Sequence, residues 1–167
     1  MKKFFNLKSL LCCIAVVLGL VAAFMLFAPA LKAESLLGED VVKGSEIAFG
    51  KKVKDAQYIV ASAYMLPLFL ALAGVVLSVL ALLGKGGKIV PAVAAVCFVG
   101  AAIVFFLPMQ MITPEVGKLE GDAKSKHIEN FRKVIKETYG LGAGAIVGGI
   151  LSILSAATVA VPVFLKK

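Results

Sequence analysis

The side chains in this sequence that could do chemistry are few and scattered. The three cysteines, Cys12, Cys13 and Cys97, all lie within apolar runs, so they predict packing rather than a disulfide framework or a metal site; lipidation of the first two is the alternative. The single histidine, His127, has Glu129 two residues away, which is on a different face of a helix. This spacing predicts a solvated surface histidine, with a metal site or pH switch as the alternative. We predict no catalytic residue, no metal and no cofactor.

A glycine-lysine turn and several hydroxyl groups are the remaining candidates. The segment from Gly84 to Lys88 reads GKGGK, which does not match the phosphate loop GxxxxGK[ST] and follows no predicted strand, so it predicts a short turn. The hydroxyls lie within apolar runs, where they are expected to bond to their own helix or to a neighbouring one. They are Ser62, Ser78, Ser152, Ser155 and Thr158.

Four apolar runs must position these side chains. A helix of about 20 apolar residues crosses a hydrocarbon core of roughly 30 Å. We therefore predict an all-α fold, a four-helix transmembrane bundle that forms a single integral membrane domain over residues 1-167. In the second run Pro67 predicts a kink, because proline removes one backbone hydrogen bond. The predicted spans are about 9-31, 58-83, 89-112 and 139-165.

The placement of charge predicts the orientation in the membrane. The net charge is +8, yet the two longer connections together hold nearly balanced charges. Both ends of the chain and the GKGGK turn contain lysines and no acidic residue. This is the positive-inside pattern, which predicts cytoplasmic termini in a plasma membrane and argues against binding of nucleic acid.

The first apolar run has two interpretations. It follows a basic start, and the small residues near Ala28, Ala30 and Ala33 fit the cleavage region of a signal peptide. The run is longer than the usual apolar region of such peptides, which is about 7 to 15 residues. We therefore expect a retained signal-anchor helix, with a cleaved signal peptide as the alternative.

The two longer connections carry different periodicities. In the first, Val41-Val42 and 47-49 flank a glycine-containing break and predict a short hairpin. The second predicts an amphipathic extracytoplasmic helix that leads directly into the last span. The residues that share its apolar face are Ile128, Phe131, Ile135 and Tyr139.

Small residues recur at every fourth position of the last run. In lipid, such a row lets helix backbones approach closely and gain van der Waals contact. We identify this row as the helix-packing residues, which act either inside the chain's own bundle or as a seam for a second copy or a larger membrane protein. The small-residue row is Gly140, Gly144, Gly148, Ser152, Ala156 and Ala160.

The layout resembles that of a known group of proteins. A basic amino terminus, Phe27-Ala-Pro29 at the end of the first run, Ile47-Ala-Phe-Gly50 in a loop and the GKGGK hairpin resemble small uncharacterised four-span membrane proteins of Gram-positive bacteria. The resemblance covers the first two thirds of the chain and implies no known activity. Claudins have a similar helix count, but their signature of Trp and paired Cys in the first loop is absent here.

These observations favour a non-enzymatic role. We expect a small multi-pass membrane protein with a structural, accessory or helix-packing function, whose partners are the lipid bilayer and either a second copy or a larger membrane protein. No charged residue lies within the predicted spans, although such residues usually mark proton relays and ion paths. The alternative is a pore or small-solute transporter, in which the Pro67 kink and the hydroxyls line a path.

Overall fold

The computed structural model describes residues 7–35, 38–53, 57–60, 63–114 and 121–164, and these are mostly helical. The prediction of an all-α fold is confirmed to that extent. Single 3-10 turns at Met25–Phe27 and Ala63–Met65 accompany the α-helices. The helices of the described segments are α1 (Leu7–Phe24), α2 (Gly44–Phe49), α3 (Leu66–Leu82), α4 (Ile89–Phe105), α5 (Pro108–Met111), α6 (Gly121–Thr138) and α7 (Ala143–Phe164).

Two small antiparallel sheets, which the sequence analysis does not foresee beyond one hairpin, accompany these helices. Each combines neighbouring segments of the chain with a short strand from far along it. The first has the order β2-β1-β6, formed by β1 (Pro29–Ser35), β2 (Gly38–Lys43) and β6 (Gly140–Leu141). The second has the order β3-β4-β5, formed by β3 (Lys51–Val53), β4 (Gln57–Val60) and β5 (Thr113–Pro114).

The chain divides into two compact units, where the sequence analysis treats it as one domain. The helical unit comprises Met1–Phe24, Leu66–Val104 and Val147–Lys167. The mixed unit comprises Met25–Met65 and Phe105–Ile146, and it contains both sheets. The connections between the apolar runs thus fold around a core of their own, in which Leu26, Ile47 and Ile112 are fully buried.

The helical unit has small residues at its centre. The ring of Phe98 is fully buried, and a Cβ atom added at Gly19 or Gly74 would lie 2.6 Å or 2.8 Å from it. Around this ring, alanines of several helices are buried with Val159 of α7. Close approach of the helices therefore depends on the absence of larger side chains at these positions.

Large apolar side chains lie on the outside of the same four helices. In α3 and α4, Phe69 is 60% and Val96 is 71% exposed, although both helices are strongly apolar. In α1 and α7, Phe24 and Ile153 are exposed in the same way. The centre of the helical unit thus combines small residues with Phe98, whereas many large apolar side chains lie on its surface.

Two helices of the described residues are long and apolar enough to cross a membrane, judged by length and composition. They are Leu7–Phe27 and Ala143–Val163, each of 21 residues, and a third of each is buried within the protein. The apolar helices α3 and α4 are shorter, at 17 residues. The first candidate includes the 3-10 turn that follows α1.

Two prolines explain why these helices are shorter than the predicted spans. Pro67 is the second residue of α3, in a first turn where backbone N–H groups have no helical acceptor, so the predicted kink at this position is wrong. Pro108 begins the separate helix α5, beyond the end of α4. Before α3, Gln57–Val60 pairs as a strand with Lys51–Val53.

The predicted hairpin in the first connection has a different partner. Val41 and Val42 lie in β2, which pairs with β1, whereas residues 47-49 belong to α2, so their assignment to the hairpin is wrong. The backbone N–H of Lys43 donates to the Glu46 carboxylate at 2.9 Å, which caps the start of α2. Gly44 is buried here, and a Cβ atom on it would lie 2.5 Å from the backbone oxygen of Leu26.

The helix predicted before the last span is present as α6, but it does not lead directly into α7. Between them, Gly140 and Leu141 pair with β1, opposite Lys32 and Leu31. The N–H of Gly142 then donates to the carbonyl of Ala30 at 2.8 Å. These bonds stop one helix and start the next four residues later than the predicted span.

Candidate functional site

A largely apolar cavity of about 360 Å³ lies in the mixed unit, between the β1–β2 hairpin and α6. Its size is within the range of small-ligand pockets, about 300 to 1,000 Å³. The strands contribute one residue each, and α6 contributes most of the rest. The cavity is lined by Leu31, Val42, Ile112, His127, Asn130, Phe131, Val134, Ile135, Thr138 and Tyr139.

The floor of this cavity is formed by buried aliphatic side chains. Leu31 of β1 and Val42 of β2 lie opposite each other in the paired strands, and both line the cavity. Ile112 and Ile135 are also buried. Val134 of α6 is 58% exposed, so an apolar wall continues from the floor to the solvent-accessible mouth.

Two hydrogen bonds fix the position of α6, one to the residue after α5 and one to the β1–β2 hairpin. The guanidinium Nε of Arg132 donates to the carbonyl of Ile112 at 3.2 Å. At the end of the helix, the hydroxyl of Tyr139 donates to the carboxylate of Asp40 on β2 at 2.6 Å. The bond from Tyr139 to Asp40 joins residues 99 positions apart, whereas the bond from Arg132 to Ile112 joins residues 20 positions apart.

The bond to Asp40 changes the acidity of Tyr139. Burial, followed by the hydrogen bond and the negative charge of the carboxylate, raises the pKa of Tyr139 to about 12. The phenol is therefore protonated at neutral pH and remains a donor to Asp40. Through this bond the side chain joins the residue after α6 to β2.

Several polar side chains lie among the apolar residues that line the cavity. His127, Asn130 and Thr138 are spaced along one face of α6 and can offer hydrogen bonds to a ligand. Within the described residues, no three His, Cys, Asp or Glu side chains are placed to hold a metal ion. The arrangement is typical of an apolar pocket with a few orienting polar groups.

His127 lies in this site, although the sequence predicts a solvated histidine. It is half-buried in the cavity lining. Its position follows from helical spacing, since residues 127, 131, 134 and 138 recur on one side of α6. That signal is present in the sequence, but the opposing strands that complete the cavity are not evident from it.

The predicted small-residue row begins outside the last helix. Gly140 is an exposed residue of β6. Gly144 lies in the first turn of α7 and is buried, and a Cβ atom on it would lie 2.8 Å from the Cβ of Ala28. Ala160, at the other end of the row, is partly buried.

The middle of the row is buried within this chain. Gly148 and Ser152 are buried, and the hydroxyl of Ser152 donates to the carbonyl of Gly148 at 2.8 Å. Ala156 belongs to the cluster that includes Ala15 and Phe98. The residues needed for a close helix seam thus lie on the inward side of α7.

Four of the five span hydroxyls bond to their own helix, as expected, and the fifth, that of Ser62, lies outside the described residues. Ser78 donates to the carbonyl of Gly74 at 2.7 Å, and Ser155 donates to that of Leu151 at 2.8 Å. Ser152 and Thr158 make equivalent bonds four residues back. Hydroxyls bonded in this way have less capacity to coordinate a solute in a path.

No family model, curated protein or solved structure matches this sequence.

Proposed function

We propose that this chain is a non-enzymatic, four-span integral membrane protein of the plasma membrane, with a structural or accessory role. The many large apolar side chains on the surface of the helical unit carry this proposal. Side chains such as Phe69 and Val96 would be exposed to water in a soluble protein, whereas in a bilayer they contact lipid. Small residues at the centre are typical of helix interfaces in membranes.

The two shorter helices can also span in this proposal. A helix of 17 residues, at about 1.5 Å per residue, is roughly 25 Å long, and about 17 residues is the lower limit for a span. The 3-10 turn Ala63–Met65 precedes α3 and adds to its length. Lys85 and Lys88 in the turn between α3 and α4 favour a cytoplasmic position for that turn.

The accessory role is proposed to act through the cavity of the mixed unit. Its aliphatic floor and polar rim fit the acyl chain of a lipid, with the ester or headgroup atoms near His127, Asn130 and Thr138. A bilayer would supply such a chain at high local concentration. An apolar side chain of a partner protein is the competing occupant that the experiment below distinguishes.

The pore alternative has less support. It requires a kink at Pro67 and free hydroxyls, whereas Pro67 lies in a first turn and Ser78, Ser152, Ser155 and Thr158 bond to their own helices. We therefore do not propose transport.

Cysteine labelling tests the topology. In a variant with its three native cysteines replaced by serine, single cysteines at Lys85 and Lys124 are treated with a membrane-impermeant maleimide in intact cells. We expect labelling of Lys124→Cys at once and of Lys85→Cys only after permeabilisation, because one span, α4, separates the two positions and places them on opposite sides of the membrane. Equal labelling of both in intact cells would overturn the four-span topology.

A fluorescent acyl probe tests the cavity. In Val134→Trp the indole should fill the mouth and weaken probe binding about tenfold, which corresponds to 1.4 kcal/mol. Ala123→Trp is the matched control, because Ala123 is an exposed residue of the same helix outside the cavity. Equal binding by both variants would show that the cavity does not hold the acyl chain, and a partner side chain would become the preferred occupant.

A further inference from the structure

A second cavity, of about 500 Å³, lies in the helical unit where three of its parts meet. The start of α1 contributes Lys8 and Ser9, and the turn between α3 and α4 contributes Gly84, Gly87 and Lys88. Pro162 of α7 lies on a third side. The cavity shares no residue with the acyl site of the mixed unit.

The described residues that line this cavity carry charge of one sign. Among them, Lys8 and Lys88 are the ionisable side chains besides a cysteine thiol, and none is acidic. The remaining polar group is the hydroxyl of Ser9, which can donate a hydrogen bond. Two ammonium groups and a hydroxyl around one space form a set of donors for a phosphate.

Two glycines leave room for a ligand beside the backbone. Gly84 and Gly87 have φ angles of 73° and 57°, which favour glycine, and a Cβ atom added to either would have no atom within 4 Å. The turn therefore presents open backbone on the cavity rather than side chains. This geometry allows a headgroup to approach the main chain closely.

The rest of the lining is apolar. Ala81 and Leu82 of α3 and Pro91 of α4 continue the cavity away from the lysines. A soluble phosphate would leave this apolar part unused, whereas a phospholipid places its phosphate at the lysines and its glycerol and acyl carbons beyond them. The combination of charge and apolar lining therefore favours a lipid over a free anion.

We propose that this cavity binds the phosphate of an anionic phospholipid headgroup on the cytoplasmic side. The inference rests on the proposed membrane insertion of the helical unit. A specific site differs from the general attraction between lysines and an anionic membrane surface. The general attraction would depend on every nearby lysine, whereas binding at a site depends on the lysines that line it.

The test compares lysines of the same region. The full chain is purified in nanodiscs that contain phosphatidylglycerol and phosphatidylcholine, and retained lipid is counted by native mass spectrometry after release into detergent. We expect selective retention of phosphatidylglycerol, lowered at least fivefold in Lys8→Gln/Lys88→Gln. Lys85→Gln is the matched control, since Lys85 is in the same turn but does not line the cavity.

Each result distinguishes a site for an anionic phospholipid from a diffuse charge effect, from a site for a soluble anion or from unselective lipid binding. Equal losses in Lys85→Gln and in the double variant would show a diffuse charge effect and overturn the site. Displacement of the lipid by millimolar inorganic phosphate would assign the site to a soluble anion instead. Retention of phosphatidylcholine as strongly as phosphatidylglycerol would also overturn the proposal.

Two controls keep these outcomes separate from misfolding and from failure of the proposed function. The variant Lys8→Arg/Lys88→Arg keeps both positive charges and should retain the lipid. If this variant has normal helix content but does not retain the lipid, the result would count against recognition by charge. The maleimide assay is run on the double variants with both reporter cysteines and on Lys85→Gln with Lys124→Cys alone, so an altered topology is recognised independently of lipid retention.

Discussion

At the scale of single residues, the packing of the helical unit depends on Gly19 of α1. A Cβ atom at Gly19 would lie 2.6 Å from the ring of Phe98 and 2.8 Å from a methyl of Val75. We expect Gly19→Ala to destabilise the protein by about 1 to 2 kcal/mol, because overpacking of about 1 to 3 kcal/mol exceeds the gain in helix propensity of up to about 1 kcal/mol. Thermal unfolding in detergent measures the change.

Gly100→Ala is the control for this prediction. A Cβ atom at Gly100 would meet only the terminal methyl of Leu70, at 3.2 Å, which can move. The propensity gain should then win, and stability should stay the same or rise by up to about 1 kcal/mol. Adding Phe98→Leu to Gly19→Ala should recover part of the loss, and equal losses in the two alanine variants would contradict the role of the ring.

Tyr139 makes a pH-dependent contribution to stability. Its pKa, ordinarily about 10, is raised to about 12 in the folded protein, mainly by burial and then by Asp40. The contribution is fully present below the unfolded pKa and is lost as pH rises from about 10 through about 12, because the unfolded chain loses the proton first.

We expect Tyr139→Phe to flatten this part of the pH profile. The measurement is the difference in free energy of unfolding between the natural chain and the variant, taken from pH about 9 to 12, since lysines of both proteins titrate in the same range. The difference should shrink as pH rises. A constant difference would show that Tyr139 contributes no proton-linked stability.

At the scale of elements, Pro67 should act as a helix start rather than a hinge. It is the second residue of α3, where its missing N–H removes no helical bond. We expect Pro67→Ala to change stability by less than about 1 kcal/mol, whereas Val76→Pro in the middle of the same helix should cost about 3 kcal/mol or more. The two midpoints of thermal unfolding give the comparison, and a large loss in Pro67→Ala would restore the hinge interpretation.

The elements also show what the sequence could predict. Four apolar helices and α6 follow from hydropathy and helical spacing, because these signals are local. The strand β6 does not follow from local signals. Its residues Gly140 and Leu141 belong to an apolar run that continues into α7, and they form a strand because they pair with β1. Pairing across more than a hundred residues leaves no periodic signal in either segment.

At the scale of the whole molecule, the sequence predicts one side of the candidate site, the face of α6, and not the opposing strands. The face of α6 that lines the cavity follows from the spacing of Phe131, Ile135 and Tyr139. The opposing floor requires Leu31 to be a strand residue, although it falls inside the first predicted span. A long apolar run does not indicate where a helix ends, so hydropathy alone extends the span over the strand that completes the site.

The small-residue row is consistent with two arrangements of α7, which are packing within one chain and packing between two chains. Gly148 is buried, whereas Ala157 of the same helix is exposed. We expect Gly148→Ile to lower the stability of the monomer by about 2 kcal/mol or more, because the larger side chain would overpack a buried position of the helix. Ala157→Ile should change stability by less than about 0.5 kcal/mol, since it adds an apolar group at the surface.

Native mass spectrometry and thermal unfolding of both variants, in the same detergent, separate the two roles of this helix. A loss of stability in Gly148→Ile with an unchanged oligomeric mass would place the row inside the chain. If Gly148→Ile instead keeps its stability but loses an oligomer, the row is a seam between copies. Loss of an oligomer only in Ala157→Ile would assign association to the exposed face of α7, where large apolar side chains such as Ile153 already lie.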